Sequence, residues 1–184
     1  MLVAGSKQEV DRVTEALSLI RLYDGVHYRR IVRDLARIWV MVLPGNIGQF
    51  RESTWTCELD ERFVLGEKTT SELIASAIVH EATHARLSRG GIRYEEESRI
   101  RIEQICIRRQ LAFAATLPNE SEARGWAEQI SEGLSSDMSN AAMAKRSFEG
   151  LIESARHIGL PEWFINIGIA LQARRDRRRA RQNS

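Results

Sequence analysis

Residues 69–85 read Thr-Thr-Ser-Glu-Leu-Ile-Ala-Ser-Ala-Ile-Val-His-Glu-Ala-Thr-His-Ala, and the rest of the chain takes its meaning from them. Thr69-Thr70-Ser71-Glu72 has the form of a capping box, in which a hydroxyl and a carboxylate three residues later satisfy the free backbone donors of a helix start. Leu73, Ala77 and the run from His80 to Ala85 follow in helical register, and Gly90-Gly91 ends them. His80 and His84 stand four apart, so they share one face of that helix, where two neutral imidazoles can bind a single metal ion. Glu81 directly follows the first of them, which sets its carboxylate beside the ion and within reach of a metal-bound water. Imidazole donors in a tetrahedral set favour Zn²⁺, and three protein ligands leave a fourth position for water. Zinc lowers the pKa of that water toward about 7, and Glu81 then serves as the general base.

A third ligand is needed downstream. A long helix is predicted from about Arg93 to Leu117, closed by Pro118. Glu95, Glu96 and Glu97 lie in its first turn, where acidic residues ordinarily complement the helix dipole. Glu103 interrupts the otherwise apolar row Ile100, Ile107, Leu111 and Ala114, and a buried carboxylate is costly unless it is paired or bound to metal. Glu103 is therefore the expected third ligand. Glu96 and Glu97 are the alternatives, and a salt bridge to Arg99, Arg101 or Arg108 is the other use of Glu103. Cys106 is a rival donor, or else a small buried hydrophobe, as Cys57 is expected to be on its strand. His27 and His157 are expected to be surface or packing residues.

Upstream of the motif the pattern changes. Ser6-Lys7-Gln8-Glu9 opens a first helix that runs to about Leu22, and Tyr28 to Ala36 reads as a second. Arg37 to Leu43 is rich in β-branched and aromatic residues and stops at Pro44-Gly45, the mark of a buried strand. Trp55, Cys57 and Leu59 alternate with Thr56, Glu58 and Asp60 as a half-exposed strand would, and Phe63 to Leu65 suggests a third. Downstream, Asn119 with Glu122 caps a helix carrying Trp126, Ile130 and Leu134. Phe148, Leu151, Ala155 and Ile158 mark the next, and Pro161 opens a last helix from Glu162 to about Gln172. The class is α+β: a small early sheet packed by the His-Glu-x-x-His helix and several further helices.

The 184 residues suit a single domain, 1–172, with its core at 37–117 and a basic tail at 173–184. With 43% hydrophobic residues, enough apolar surface exists to offset chain entropy, which excludes a disordered chain. The longest apolar run, Ile38 to Leu43, is too short for a membrane span, and no signal-peptide pattern begins the sequence. Two cysteines exclude a disulfide scaffold, so a cytoplasmic location is expected. Residues 174–181 carry six arginines and one aspartate, which leaves −3 on the rest of a +2 chain and no basic face for nucleic acid on the body. Trp163, Phe164, Ile165, Ile167, Ile169 and Leu171 ahead of those arginines could make an attachment to membrane or nucleic acid, but a core-packing helix with a solvated tail is the expectation. The expected partner is a peptide or protein substrate, and the oligomeric state is left open.

Val79-His80-Glu81-Ala82-Thr83-His84-Ala85, followed by Tyr94 and then Arg101-Ile102-Glu103-Gln104, resembles the gluzincins, zincin metallopeptidases with two His and a downstream Glu on a second helix. The compact size resembles the minimal, minigluzincin-like members. The resemblance implies that His80, His84 and Glu103 ligate zinc, that Glu81 is the general base, and that Tyr94 hydrogen-bonds the tetrahedral intermediate. It also implies an antiparallel edge strand, here Trp55 to Leu59, against which an extended peptide aligns. Arg86, two residues after His84, stands where zincins usually carry an apolar residue. The metzincin extension is absent, with Leu87 and Gly90 in place of its Gly and His. The expected activity is that of a zinc metallopeptidase. The alternatives are a catalytically silent zinc-bearing binding module and a helical adaptor working through the basic tail.

Overall fold

A computed structural model describes residues 1–118, 121–133 and 137–182. The expectations that fall on Asn119 and Leu134 lie outside those residues. In chain order the elements are β1 (Leu2–Ala4), α1 (Lys7–Tyr23), α2 (Gly25–Asp34), β2 (Arg37–Met41), β3 (Gly48–Arg51) and β4 (Thr56–Asp60), then α3 (Glu61–Val64), α4 (Ser71–Arg89), α5 (Glu96–Ala114), α6 (Ser121–Glu132), α7 (Asn140–His157) and α8 (Glu162–Gln182). The class is α+β, mainly helical. The sheet order is β1-β2-β4-β3, with β1, β2 and β4 parallel and β3 antiparallel to β4 at one edge.

The sheet corrects two readings of the sequence. The antiparallel edge strand is β3, and the segment around Cys57 is the inner strand β4, buried along its whole length. Its alternating polar residues are buried because other side chains cover them. Arg51 donates from Nε and Nη2 to the Glu58 carboxylate at 2.5 and 2.8 Å, and Gln49 Nε2 donates to it at 2.5 Å. Asp60 accepts from the Leu43 and Arg62 backbone N–H groups and from the Arg62 guanidinium, which itself donates to the Leu43 carbonyl. The second correction is that Phe63 to Leu65 forms no strand: Asp60 caps the short helix α3 there. Strands β1 and β3, three and four residues long, are too short for periodicity to reveal.

Asp60 sets part of the acid stability. Burial by itself would raise its pKa, but the hydrogen bonds from Arg62 and from the Leu43 backbone outweigh burial and hold it below the usual value. The stability this gives is complete above the unfolded aspartate pKa of about 3.9 and is lost as pH falls through the lower folded value. Asp60→Asn should therefore flatten the acid limb of a Tm-against-pH curve below about pH 4, and lower neutral stability by about 1–3 kcal/mol. An acid limb identical to the parent's would remove Asp60 from the pH dependence.

The core lies between the sheet and helices α1 and α4. Val13, Ala16 and Ile20 of α1 and Ile74, Ile78 and Val79 of α4 close over Ile38, Val40, Cys57 and Leu59. The N-cap of α4 is Thr70, whose side chain accepts from Leu73 N–H, one residue later than the capping-box reading. In α1 the Ser6/Glu9 capping box forms as read. Helix α7 turns Gly150 and Ser154 inward, while Leu151 and Ile158 are exposed. The lack of a side chain at Gly150 lets α7 touch the backbone of Gly45, where a Cβ would overlap Gly45 N and Cα. Helix α8 continues through the arginine run to Gln182 and buries Ile165, leaving Trp163, Phe164, Ile167 and Leu171 exposed. The last helix thus runs past its expected end near Gln172 and packs less of its apolar surface than expected. Among the described residues, no helix is long and apolar enough to cross a membrane.

Candidate metal centre

Helix α4 projects His80 and His84 from one face, and α5 crosses beside it carrying Glu103 and Cys106 one turn apart. The two imidazole Nε2 atoms lie 3.2 Å apart. Glu103 Oε2 is 3.1 Å from His80 Nε2, and its Oε1 is 3.5 Å from His84 Nε2. Donors at the corners of a tetrahedron with bonds of about 2.0–2.1 Å stand about 3.3 Å from one another, so this trio already has the spacing of a ligand set. His80, His84 and Cys106 also bring their ligand atoms within 4.8 Å of one another, and this group could hold a metal ion.

Glu103 reaches the centre differently from the sequence reading. The buried residues of α5 are Arg99, Ile102, Cys106, Ile107, Gln110, Phe113 and Ala114, so Ile107 and Ala114 are buried as expected, whereas Ile100 is exposed and Leu111 half-buried. Glu103 stands at the border of the buried face and turns to the imidazoles. It makes no salt bridge with Arg99, which instead donates to the Met138 carbonyl and Asn140 Oδ1. Glu95, Glu96 and Glu97 are all exposed and do not converge on the histidines. Cys57 is fully buried in the core and takes no part.

The orientation of His80 is fixed from behind. Gln110 Oε1 accepts from its Nδ1 at 2.7 Å, and Gln110 Nε2 donates to Ser76 Oγ at 3.2 Å. With Nδ1 carrying the proton, the Nε2 lone pair of neutral His80 faces both His84 Nε2 and the Glu103 carboxylate. Electron pairs meeting this way repel unless a positive charge lies among them. Among these residues alone, a proton on His80 supplies it. Burial pulls the His80 pKa down, but the hydrogen bond to Glu103 and the charges of Glu81 and Glu103 raise it to about 9. Burial would raise Glu103, yet the two imidazoles and Tyr94 hold it at about 2. His84, buried and beside the charged His80, falls to about 4. The Cys106 thiol is pushed up, first by burial and then by the charges of Glu103 and Glu81. The donor set is thus the kind a divalent cation satisfies.

Glu81 lies on the neighbouring face of α4, buried under the edge strand. Its Oε1 would be 3.2 Å from a Cβ at position 48, so Gly48 lets β3 pass directly over it, and the Phe50 N–H helps to hold down the pKa of its carboxylate. Burial raises its pKa to about 7, with His80 working against the rise and Glu103 adding to it. His80, Glu81, His84, Tyr94 and Glu103 all open onto one cleft of about 730 Å³. One wall is β3, through Gly48, Gln49 and Phe50, and the other comes from Ile130 and Gly133 at the end of α6 and Met143 and Arg146 of α7. Tyr94 donates its hydroxyl to Glu103 Oε1 at 2.5 Å and sets its ring edge-on to His84, at 5.3 Å between centroids. In this arrangement the hydroxyl fixes the Glu103 carboxylate.

No family model matches the chain, and no curated protein or solved structure matches it significantly. His27 pairs with Asp24 and His157 with Glu61, both away from the cleft. Gln110 and Ser76 were missed in the sequence. Ser76 stands four residues before His80 and Gln110 seven after Glu103, polar residues at helical spacing on otherwise apolar faces.

Proposed function

We propose that the cleft is the active site of a zinc-dependent peptidase of the gluzincin type. The observation that carries the reading is the convergence of His80, His84 and Glu103 at 3.1–3.5 Å, with the buried Glu81 beside them on the wall of an open cleft. His80, His84 and Glu103 would hold the Zn²⁺. When bound there, zinc supplies Lewis acidity and brings the pKa of a coordinated water toward about 7. Glu81 takes a proton onto its carboxylate and returns it to the leaving amine, and a pKa of about 7 suits a group that must do both near neutral pH. The outer edge of β3 offers backbone donors and acceptors to an extended peptide in the cleft. Tyr94, ordered on Glu103, would release its hydroxyl to the developing oxyanion as the family resemblance implies.

A second reading rests on Cys106. If its thiolate joins His80, His84 and Glu103, four protein donors fill a tetrahedral site and leave no open position, as in structural zinc centres. The chain would then be a catalytically silent zinc-bearing module. Retention of Glu81, which a closed centre does not need, favours the peptidase.

Metal analysis, cobalt substitution and a peptide library distinguish the two. The expected result is one zinc per chain in both the parent and Cys106→Ser, no sulfur-to-metal charge-transfer band in the cobalt form, and cleavage by the zinc-loaded parent. A charge-transfer band that disappears in Cys106→Ser, together with no cleavage of any peptide, would establish the closed module instead.

A further inference from the structure

On the face of α4 turned away from the cleft, Val79, Ala82, Thr83 and Arg86 look toward α2 and toward Arg109 of α5. His27, Arg30, Arg86 and Arg109 share the lining of a niche of about 20 Å³ there, room for one water-sized group. Among the described residues, none of these three guanidinium groups has a hydrogen-bond or ion-pair partner. The carboxylates closest at hand are engaged elsewhere. Asp24 holds His27 Nδ1 at 2.5 Å, and Asp34 holds Arg33 and Arg89 at 2.7 and 3.2 Å. His27 Nε2 is buried without a partner.

Uncompensated guanidiniums repel one another. Three arginines lining one niche beside an unpartnered imidazole nitrogen make a donor set that suits an oxyanion, and Arg presents paired N–H donors that fit phosphate oxygens. A carboxylate has only two oxygens to share among three forks, whereas a tetrahedral dianion offers one to each and a further one to the niche. A nucleic-acid strand would need a groove, and this niche admits a single oxygen.

We propose that Arg30, Arg86 and Arg109, with His27 at the floor, form a binding site for a terminal phosphate group, either free phosphate or a small phosphomonoester. The site is independent of the metal centre. It also gives Arg86 a purpose at a position where the zincin pattern carries an apolar residue. A bound anion favours the protonated His27 ring, whose Nε2–H then gains an acceptor.

The test uses the full chain in chloride buffer with EDTA, titrated with inorganic phosphate or O-phosphoserine at matched ionic strength and followed by calorimetry and thermal melting. Phosphate at ten times its Kd should raise the parent's Tm by about 3–6 °C. Arg86→Gln and Arg109→Gln should lose the shift, and without phosphate should melt at or above the parent's temperature because repulsion is relieved. His84→Ala, on the opposite face of α4, should keep the shift. An equal response to both probes assigns the site to terminal phosphate groups in general, and a response to phosphate alone assigns it to the free ion. No calorimetric binding and no shift in the parent beyond that of chloride would overturn the proposal, as would an undiminished shift in both arginine variants. Tighter binding of a single-stranded oligonucleotide than of phosphate, lost in the same variants, would overturn it in favour of a strand.

Discussion

Glu81→Gln is expected to keep one zinc per chain and at least the parent's thermal stability, while peptide hydrolysis falls by about 10²–10⁴. The substitution keeps the shape of the side chain and still offers Phe50 N–H an acceptor under β3. It also removes a carboxylate whose burial raises its pKa, so the fold loses no favourable charge. What it cannot do is take up a proton and give it back. Zinc content, melting temperature and library cleavage, measured side by side on parent and variant, check the three parts of the expectation. Equal cleavage by the two proteins would take Glu81 out of the chemistry.

Removing an imidazole should abolish stoichiometric metal, and the two positions should differ in what else they cost. Among the described residues, the His84 side chain has no hydrogen-bond partner beyond His80 and Glu103, so His84→Ala should lose zinc with little change in stability. His80 also satisfies Gln110 in the buried interior. His80→Ala therefore leaves that amide oxygen without its donor and should lower stability by about 1–3 kcal/mol as well. Glu103→Ala should weaken zinc sharply while also freeing the Tyr94 hydroxyl. Metal content by elemental analysis and stability by denaturant titration separate these effects. Parent-like zinc in Glu103→Ala, with loss in Glu96→Ala or Glu97→Ala, would overturn the ligand assignment.

The residues that converge at the centre were largely legible because helical spacing alone brings them together. His80, Glu81 and His84 are fixed relative to one another by one helix, and Glu103 needed only a second helix crossing beside it. The row used to select Glu103 held in part: Ile107 and Ala114 are buried, but Ile100 is exposed and the buried face also runs through Cys106. Glu103 itself still reaches the imidazoles because it borders that face. The sheet was harder. Period-two alternation reports exposure only when one face meets water, and β4 has Arg51 and Arg62 laid over its polar side. Its pattern therefore reads as a half-exposed strand, although the strand is buried and internal. Helix α7 misled for the opposite reason. It packs through the absence of a side chain at Gly150, and an apolar pattern cannot report an absence.

That backbone contact between Gly45 and Gly150 ties together two parts of the chain that lie far apart in sequence. Closing so long a loop costs chain entropy that the contacts of α7 with the rest of the molecule must offset. With only Gly150 and Ser154 buried on it, α7 also belongs to the part of the molecule that opens at least cost. The wall bearing Met143 and Arg146 can thus lift by local unfolding while the donors on α4 and α5 stay assembled.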